Sequence, residues 1–298
     1  MKSADTIERD DTTRDVASTQ AQASAIAPIW SGYGLRTAAR RTLAALAGAW
    51  PSAVAVVILL ALWQGYVRVS GVDQQLLPEP GAVWATLVAQ RDALWANLLV
   101  TLWETVIGFG VALATGILCG VIIDVSPWLR RALYPLLVAT QAIPLIALAP
   151  LLVLWFGFGM TSKAIVVTLM CFFPIVVALA DGLRGADPEL IKLFRSFGAG
   201  PFRVFWSARL PGALPALFSG IRIAIAYSVI GAVIAEYVGA EAGLGLYMTL
   251  KQHSFSTAGV LATFAVTALL SFVLFALVAL VERLALPWYY AQGRSGAV

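Results

Sequence analysis

Residues 97–123 read NLLVTLWETVIGFGVALATGILCGVII, a run in which Glu104 is the only charged side chain. A bilayer core about 30 Å thick is crossed by roughly 20 mainly apolar residues in a helix. Lipid offers no partner for backbone amides and carbonyls, so a spanning run must be a helix or part of a closed barrel. Five similar runs follow or precede it, giving six predicted spans at 49–68, 97–123, 132–156, 163–182, 213–238 and 259–282. A barrel would show alternating segments of about ten residues, and these runs are continuous. With 60% hydrophobic residues, 12% charged and a mean hydropathy of +0.85, the chain lacks the charged groups to coat a water-soluble core. A soluble enzyme, a disordered regulator and a nucleic-acid binder are excluded. The fold class is an all-α membrane protein.

Residues 1–25 are polar and read as disordered rather than as a secretory signal, because the first long apolar run begins only near Trp50. The organisation predicted is a polar tail over 1–45, a six-span domain over 46–285 and a short tail over 286–298. With the N-terminus inside, fifteen Lys and Arg fall on the cytoplasmic side, including Arg130, Arg131, Arg184, Lys192, Arg195, Arg203 and Arg209. Arg68, Arg91, Lys163 and Lys251 fall outside, and Arg222 just inside the fifth span. That bias places both termini and the 183–212 loop in the cytoplasm. It also accounts for the net charge of +4 without an anionic partner. Cys119 and Cys171 sit in apolar runs and imply no disulfide, and the single histidine, His253, reads as a loop residue.

The 183–212 loop reads LRGADPELIKLFRSFGAGPFRVFWSARLPG. Asp187 followed by Pro188 is a helix start, and Glu189 in the first turn suits the positive end of the helix dipole. Leu190, Leu193, Phe194 and Phe197 share one face, and Gly198 is placed to end the helix with φ > 0. Gly200-Pro201 starts a second short helix bearing Phe202, Phe205 and Trp206, which Leu210-Pro211 closes ahead of the fifth span. Such an apolar knob either fills a partner's groove or lies in the membrane interface.

The segment resembles the cytoplasmic loop of the membrane subunits of bacterial ATP-binding-cassette (ABC) importers. That motif runs Glu-Ala-Ala, three residues, Gly, nine residues, Ile, one residue, Leu-Pro. Its glycine maps to Gly198 and its closing pair to Leu210-Pro211, with Ala208 at the isoleucine position. The Glu-Ala-Ala positions hold Lys192, Leu193 and Phe194, a departure. LLPEPGAVWATL, AIPLIALAPLLVLWFGFG, CFFPIVV and ARLPGALPALFSGIRIA are similar to the branch with nitrate, sulfonate and taurine permeases. AYSVIGAVIAEYVGAEAGLGLYM is similar to permeases for thiamine-pyrimidine or riboflavin-type precursors.

The resemblance implies a type I (MetI-like) permease fold in the bacterial inner membrane. It implies a second permease copy, most simply a homodimer, two ATPase subunits that bind ATP and Mg, and an extracytoplasmic solute-binding protein. Membrane lipid surrounds the chain, and nucleic acid has no part. ATPase coupling would rest on Asp187, Glu189, Leu190, Leu193, Phe194, Phe197, Gly198, Phe202, Leu210 and Pro211. The sequence holds no G-x-x-x-x-G-K-[ST] loop, so ATP hydrolysis falls to a partner chain and this chain carries no cofactor. The expected solute is a thiamine-pyrimidine or riboflavin-type precursor, the alternative being a sulfonate, taurine or nitrate.

Polar groups inside spans are pathway candidates by default: Glu104, Gln141 beside Pro144, Tyr227, Ser228 and Glu236. The plainer reading of each is an interhelical hydrogen bond. Gly239, Gly243 and Gly245 read as an external turn, and Gly108, Gly116, Gly120 and Gly220 as places of close helix approach. Two other classes stay open. A self-sufficient secondary transporter would show an internal repeat, and an intramembrane enzyme a catalytic constellation; neither is evident.

Overall fold

The computed structural model describes the backbone of residues 34–292 and the side chains of Trp50, Pro51 and residues 54–290. The chain divides into two units, Met1–Gly65 and Tyr66–Val298. Helix α1 (Gly34–Ser70) crosses that division, contains Pro51 and holds the first predicted span. It begins inside the stretch expected as a polar tail; the rest of that stretch, 1–33, lies outside the described residues, as do 293–298.

From Tyr66 onward the described residues form helices and no strand. They are α2 (Pro80–Ala89), α3 (Arg91–Val125), α4 (Pro127–Thr140), α5 (Leu145–Phe156), α6 (Met160–Arg184), α7 (Pro188–Ser196) and α8 (Pro201–Val204). A π turn (Phe205–Arg209) leads into α9 (Leu210–Gly239), then α10 (Leu244–His253), α11 (Thr257–Ala285) and α12 (Pro287–Gln292). Among the described residues, four stretches are long and apolar enough to cross a membrane: α3, α6, Pro201–Gly239 and α11. Each contains one predicted span and overruns it at both ends.

The third predicted span, 132–156, departs from the expected single helix. It is a pair, α4 and α5, bent by 98°. At the break the amides of Gln141, Ala142 and Ile143 bond three residues back, to Val138, Ala139 and Thr140. Pro144 has no N–H to continue the ladder and disfavours helical backbone at Ile143. A second correction concerns Leu210-Pro211, which closes nothing. The π turn gives the amide of Leu210 a partner five residues back, at Phe205. Pro211 then falls at the start of the α9 ladder, where a missing N–H costs little, and the chain stays helical from Pro201 to Gly239. Helix α10 stands where the glycines from Gly239 to Gly245 suggest an external turn, and α2 lies outside all six predicted spans.

Helix α6 is the centre of the bundle. Its Val167, Cys171, Ile175, Leu179 and Leu183 are fully buried between α3 and α9, against Ala112, Ala213, Leu217 and Ala224. Close packing is what holds helices together in lipid, which is itself as apolar as a leucine side chain. Small residues permit it here. A Cβ on Gly108 would lie 2.5 Å from Val167, and one on Gly220 would lie 2.4 Å from Ala178. Helices α10 and α11 close the far side of α9 through Val229, Leu244, Leu270 and Leu274.

Candidate functional site

Two features stand at opposite ends of α6. At its C-terminal end the chain enters α7. The Asp187 carboxylate accepts the Glu189 amide at 2.8 Å, capping the first turn, and Pro188 takes the position that needs no donor. At the other end of α7 the Ala199 amide bonds Phe194 O at 3.0 Å and the Gly198 amide bonds Arg195 O at 2.9 Å. With Gly198 at φ +77° this is a Schellman closure, as the sequence predicted. Leu193 and Phe197 stand 51% and 81% exposed, and Phe202 and Trp206 on α8 and the π turn 76% and 54%. Leu190 is also exposed and Phe194 half-buried. Helix α7 is thus short, capped at both ends and apolar on a face that the rest of the described chain leaves uncovered.

One guanidinium ties this knob to the bundle. Arg209, in the π turn, reaches Asp124 at the end of α3 at 2.8 Å and Leu183 O at the end of α6 at 3.0 Å. Leu210 and Pro211 lie just beyond it, half-buried at the start of α9.

The other end of the bundle holds a buried polar cluster. Asn97, Thr101 and Glu104 lie on one face of α3 by helical spacing. Helix α10 starts with amides its own sequence leaves uncapped, because Gly243 has no side chain. Its first donors are met from elsewhere: Gly243 by Asn97 Oδ1 at 2.8 Å, Leu244 by Thr101 Oγ1 at 2.8 Å and Gly245 by Glu236 Oε2 at 2.5 Å. Thr101 donates in turn to Glu236 Oε1 at 2.6 Å. The Glu236 carboxylate thus sits against the positive end of α10. Lys163, on the first turn of α6, donates to Glu104 Oε1 at 2.5 Å, the two side chains being 10% and 4% exposed. The second Glu104 oxygen accepts no N–H or O–H among the described residues. Glu104 and Lys163 also line a pocket of about 610 Å³ with Trp103, Phe158 and Glu241.

The structure therefore joins Glu104 and Glu236 in one cluster and separates the other pathway candidates from it. Ser228 is buried and donates to Ile225 O of its own helix at 2.7 Å. Tyr227 is 42% exposed on α9, and Gln141 lies exposed in the break between α4 and α5. Lys163 is a member that sequence reasoning missed, having been counted only among the charges of the outer side. Among the described residues, no group of His, Cys, Asp or Glu is arranged to hold a metal.

Residues 112–286 match the family described as binding-protein-dependent transport system inner membrane component. The formylaminopyrimidine transport permease protein ThiX of Halalkalibacterium halodurans is 36% identical over 236 residues, covering 79% of this chain and 94% of its own length. The riboflavin transport system permease protein RibX of Chloroflexus aurantiacus is 36% identical over 246 residues, covering 80% and 91%. In fold, the solved inward-facing MetNI methionine ABC transporter superposes with a TM-score of 0.54 at 20% identity, over 65% of this chain and 98% of that one. Taurine, sulfonate and nitrate permeases match as well. By sequence and by fold, the chain belongs to the inner-membrane permease subunits of binding-protein-dependent ABC importers, in the branch that holds the nitrate, sulfonate and taurine permeases.

Proposed function

We propose that two copies of this chain form the pathway of an importer driven by two ATPase subunits, which bind ATP and Mg and dock on α7. The observation that carries this reading is the exposed apolar face of Leu190, Leu193 and Phe197 on a helix capped at both ends. Closure of the ATPases on ATP would displace α7 and α8, and with them α9. Access would then pass from one side of the membrane to the other. Both termini and α7 face the cytoplasm in this reading, which the Lys and Arg distribution supports. The end bearing Glu104, Lys163 and Glu236 faces outward, where an extracytoplasmic binding protein delivers solute, and the pocket beside Glu104 is its entry to the pathway. The solute is a thiamine-pyrimidine or riboflavin-type precursor; the 36% identity to both relatives supports this over a sulfonate, taurine or nitrate.

A pull-down from detergent-solubilised membranes tests the docking site. The native chain is expected to recover an ATPase subunit. Phe197→Asp, on a side chain 81% exposed, is expected to lose it without loss of fold. Gly198→Val, which forces a β-branched residue to φ +77°, is expected to reduce recovery as well. Full recovery with both variants would refute coupling through α7.

A further inference from the structure

At the α7 end of the bundle a pocket of about 760 Å³ opens between the end of α3, the first turns of α4 and the end of α6. Its rim carries three guanidinium groups, from Arg130, Arg131 and Arg184, and its floor includes Ile123. Two carboxylates also line it, and both are engaged. Asp181 holds Arg130 at 2.6 Å, while Asp124 is held by Arg209 at 2.8 Å. Arg130 is steadied further by the carbonyl of Ala180 and by the Tyr134 ring, 5.4 Å from its guanidinium. Arg131 and Arg184 have no partner among the described residues.

Two unpaired guanidiniums around an apolar floor suit an anion that carries an apolar body. Guanidinium forks match phosphate oxygens, and basic pockets between membrane helices at this level receive anionic headgroups. The surroundings supply the rest. Trp128, next to the pocket in sequence, is 74% exposed at the end of a span, where tryptophan marks the headgroup layer. Leu118, Ile122 and Val125 are 60%, 40% and 75% exposed and follow helical spacing along α3 up to the pocket. They form an uncovered apolar stripe into the membrane.

We infer that this pocket binds an anionic phospholipid, its phosphate held by Arg131 and Arg184 and an acyl chain laid along Leu118, Ile122 and Val125. A lipid there would brace α3, α4 and α6 at the level where Arg209 joins the docking element to the bundle.

The full-length chain, purified and stripped of lipid, is to be titrated with phosphatidylglycerol, phosphatidylcholine or inorganic phosphate, read by native mass spectrometry and thermal unfolding. Phosphatidylglycerol is expected to stay bound and raise the melting temperature, and the other two are not. Arg131→Gln with Arg184→Gln is expected to weaken phosphatidylglycerol binding about tenfold or more, equivalent to about 1.4 kcal/mol per tenfold. The same pair changed to Lys should retain most of it. Val125→Glu keeps every guanidinium and should also lower retention, so the acyl path is tested even if the double variant fails to fold. Equal binding of the two lipids, or native-like phosphatidylglycerol binding by the double variant, overturns the inference. So does stabilisation by inorganic phosphate as large as that by the lipid. Loss of ATPase recovery in the double variant with lipid binding intact would hand the pocket to the protein partner instead.

Discussion

Lys163 and Glu104 are a pair whose value depends on both members being present. The two side chains are only 10% and 4% exposed, and removing one leaves a largely desolvated charge without its partner. Lys163→Met is therefore expected to destabilise the chain by roughly 3–5 kcal/mol, measured by thermal unfolding in detergent. Lys163→Met combined with Glu104→Leu should recover most of that loss. If the double variant is no more stable than the single one, the pair is not the source of the effect. Gly243 is a different kind of constraint. It sits at φ +132°, and a Cβ there would lie 2.2 Å from Glu236 Oε1. Gly243→Ala must strain the backbone, at about 1–3 kcal/mol, and also push the carboxylate off the start of α10. A fall in melting temperature is expected, and an unchanged one would show that the α10 turn can relax.

At the scale of elements, α7 was legible because its signals are local. Asp187-Pro188 starts it, Gly198 ends it, and a face of Leu and Phe at helical spacing lies between. The cluster at the other end was half legible. Glu104 and Glu236 stand out as charges in apolar runs, but what they bind could not be read, since Lys163 is 59 residues from Glu104 and Thr101 is 135 from Glu236. Helix α10 was hidden for the same reason, its caps coming from α3 and α9 rather than from its own flanks. The break between α4 and α5 had a visible cause in Pro144, yet hydropathy reports how apolar a run is and not its direction. The π turn has no sequence signal that periodicity could detect. Its Arg209 nonetheless invites a prediction about coupling. Arg209→Met should leave the apolar face of α7 intact and the ATPase recoverable. It should raise ATP hydrolysed per solute transported severalfold, measured in proteoliposomes with the binding protein present. An unchanged ratio would mean that displacement of α7 reaches the spans by another route.

For the molecule as a whole, the family's fold is built here on three helices that approach too closely for ordinary side chains. Gly220 on α9 faces Ala178 and the carbonyl of Pro174 on α6, the latter 2.6 Å from a would-be Cβ. Gly220→Val is expected to force α6 and α9 apart and reduce the folded yield from membranes, assayed by size-exclusion of the detergent extract. Full yield would show that the bundle tolerates a wider spacing. The helix from Pro201 to Gly239 has a mechanical consequence. At 39 residues it is about 58 Å long, with the exposed α7–α8 knob at one end and Glu236 near the other, its ladder interrupted only near the knob, at the π turn and Pro215. A tilt of about 10° at the loop end would carry the far tip through roughly 10 Å. The hydrogen bonds of Glu236 to Thr101 and to the start of α10 lie where that sweep is largest. Either they travel together as one jaw, or each transport cycle breaks and remakes them.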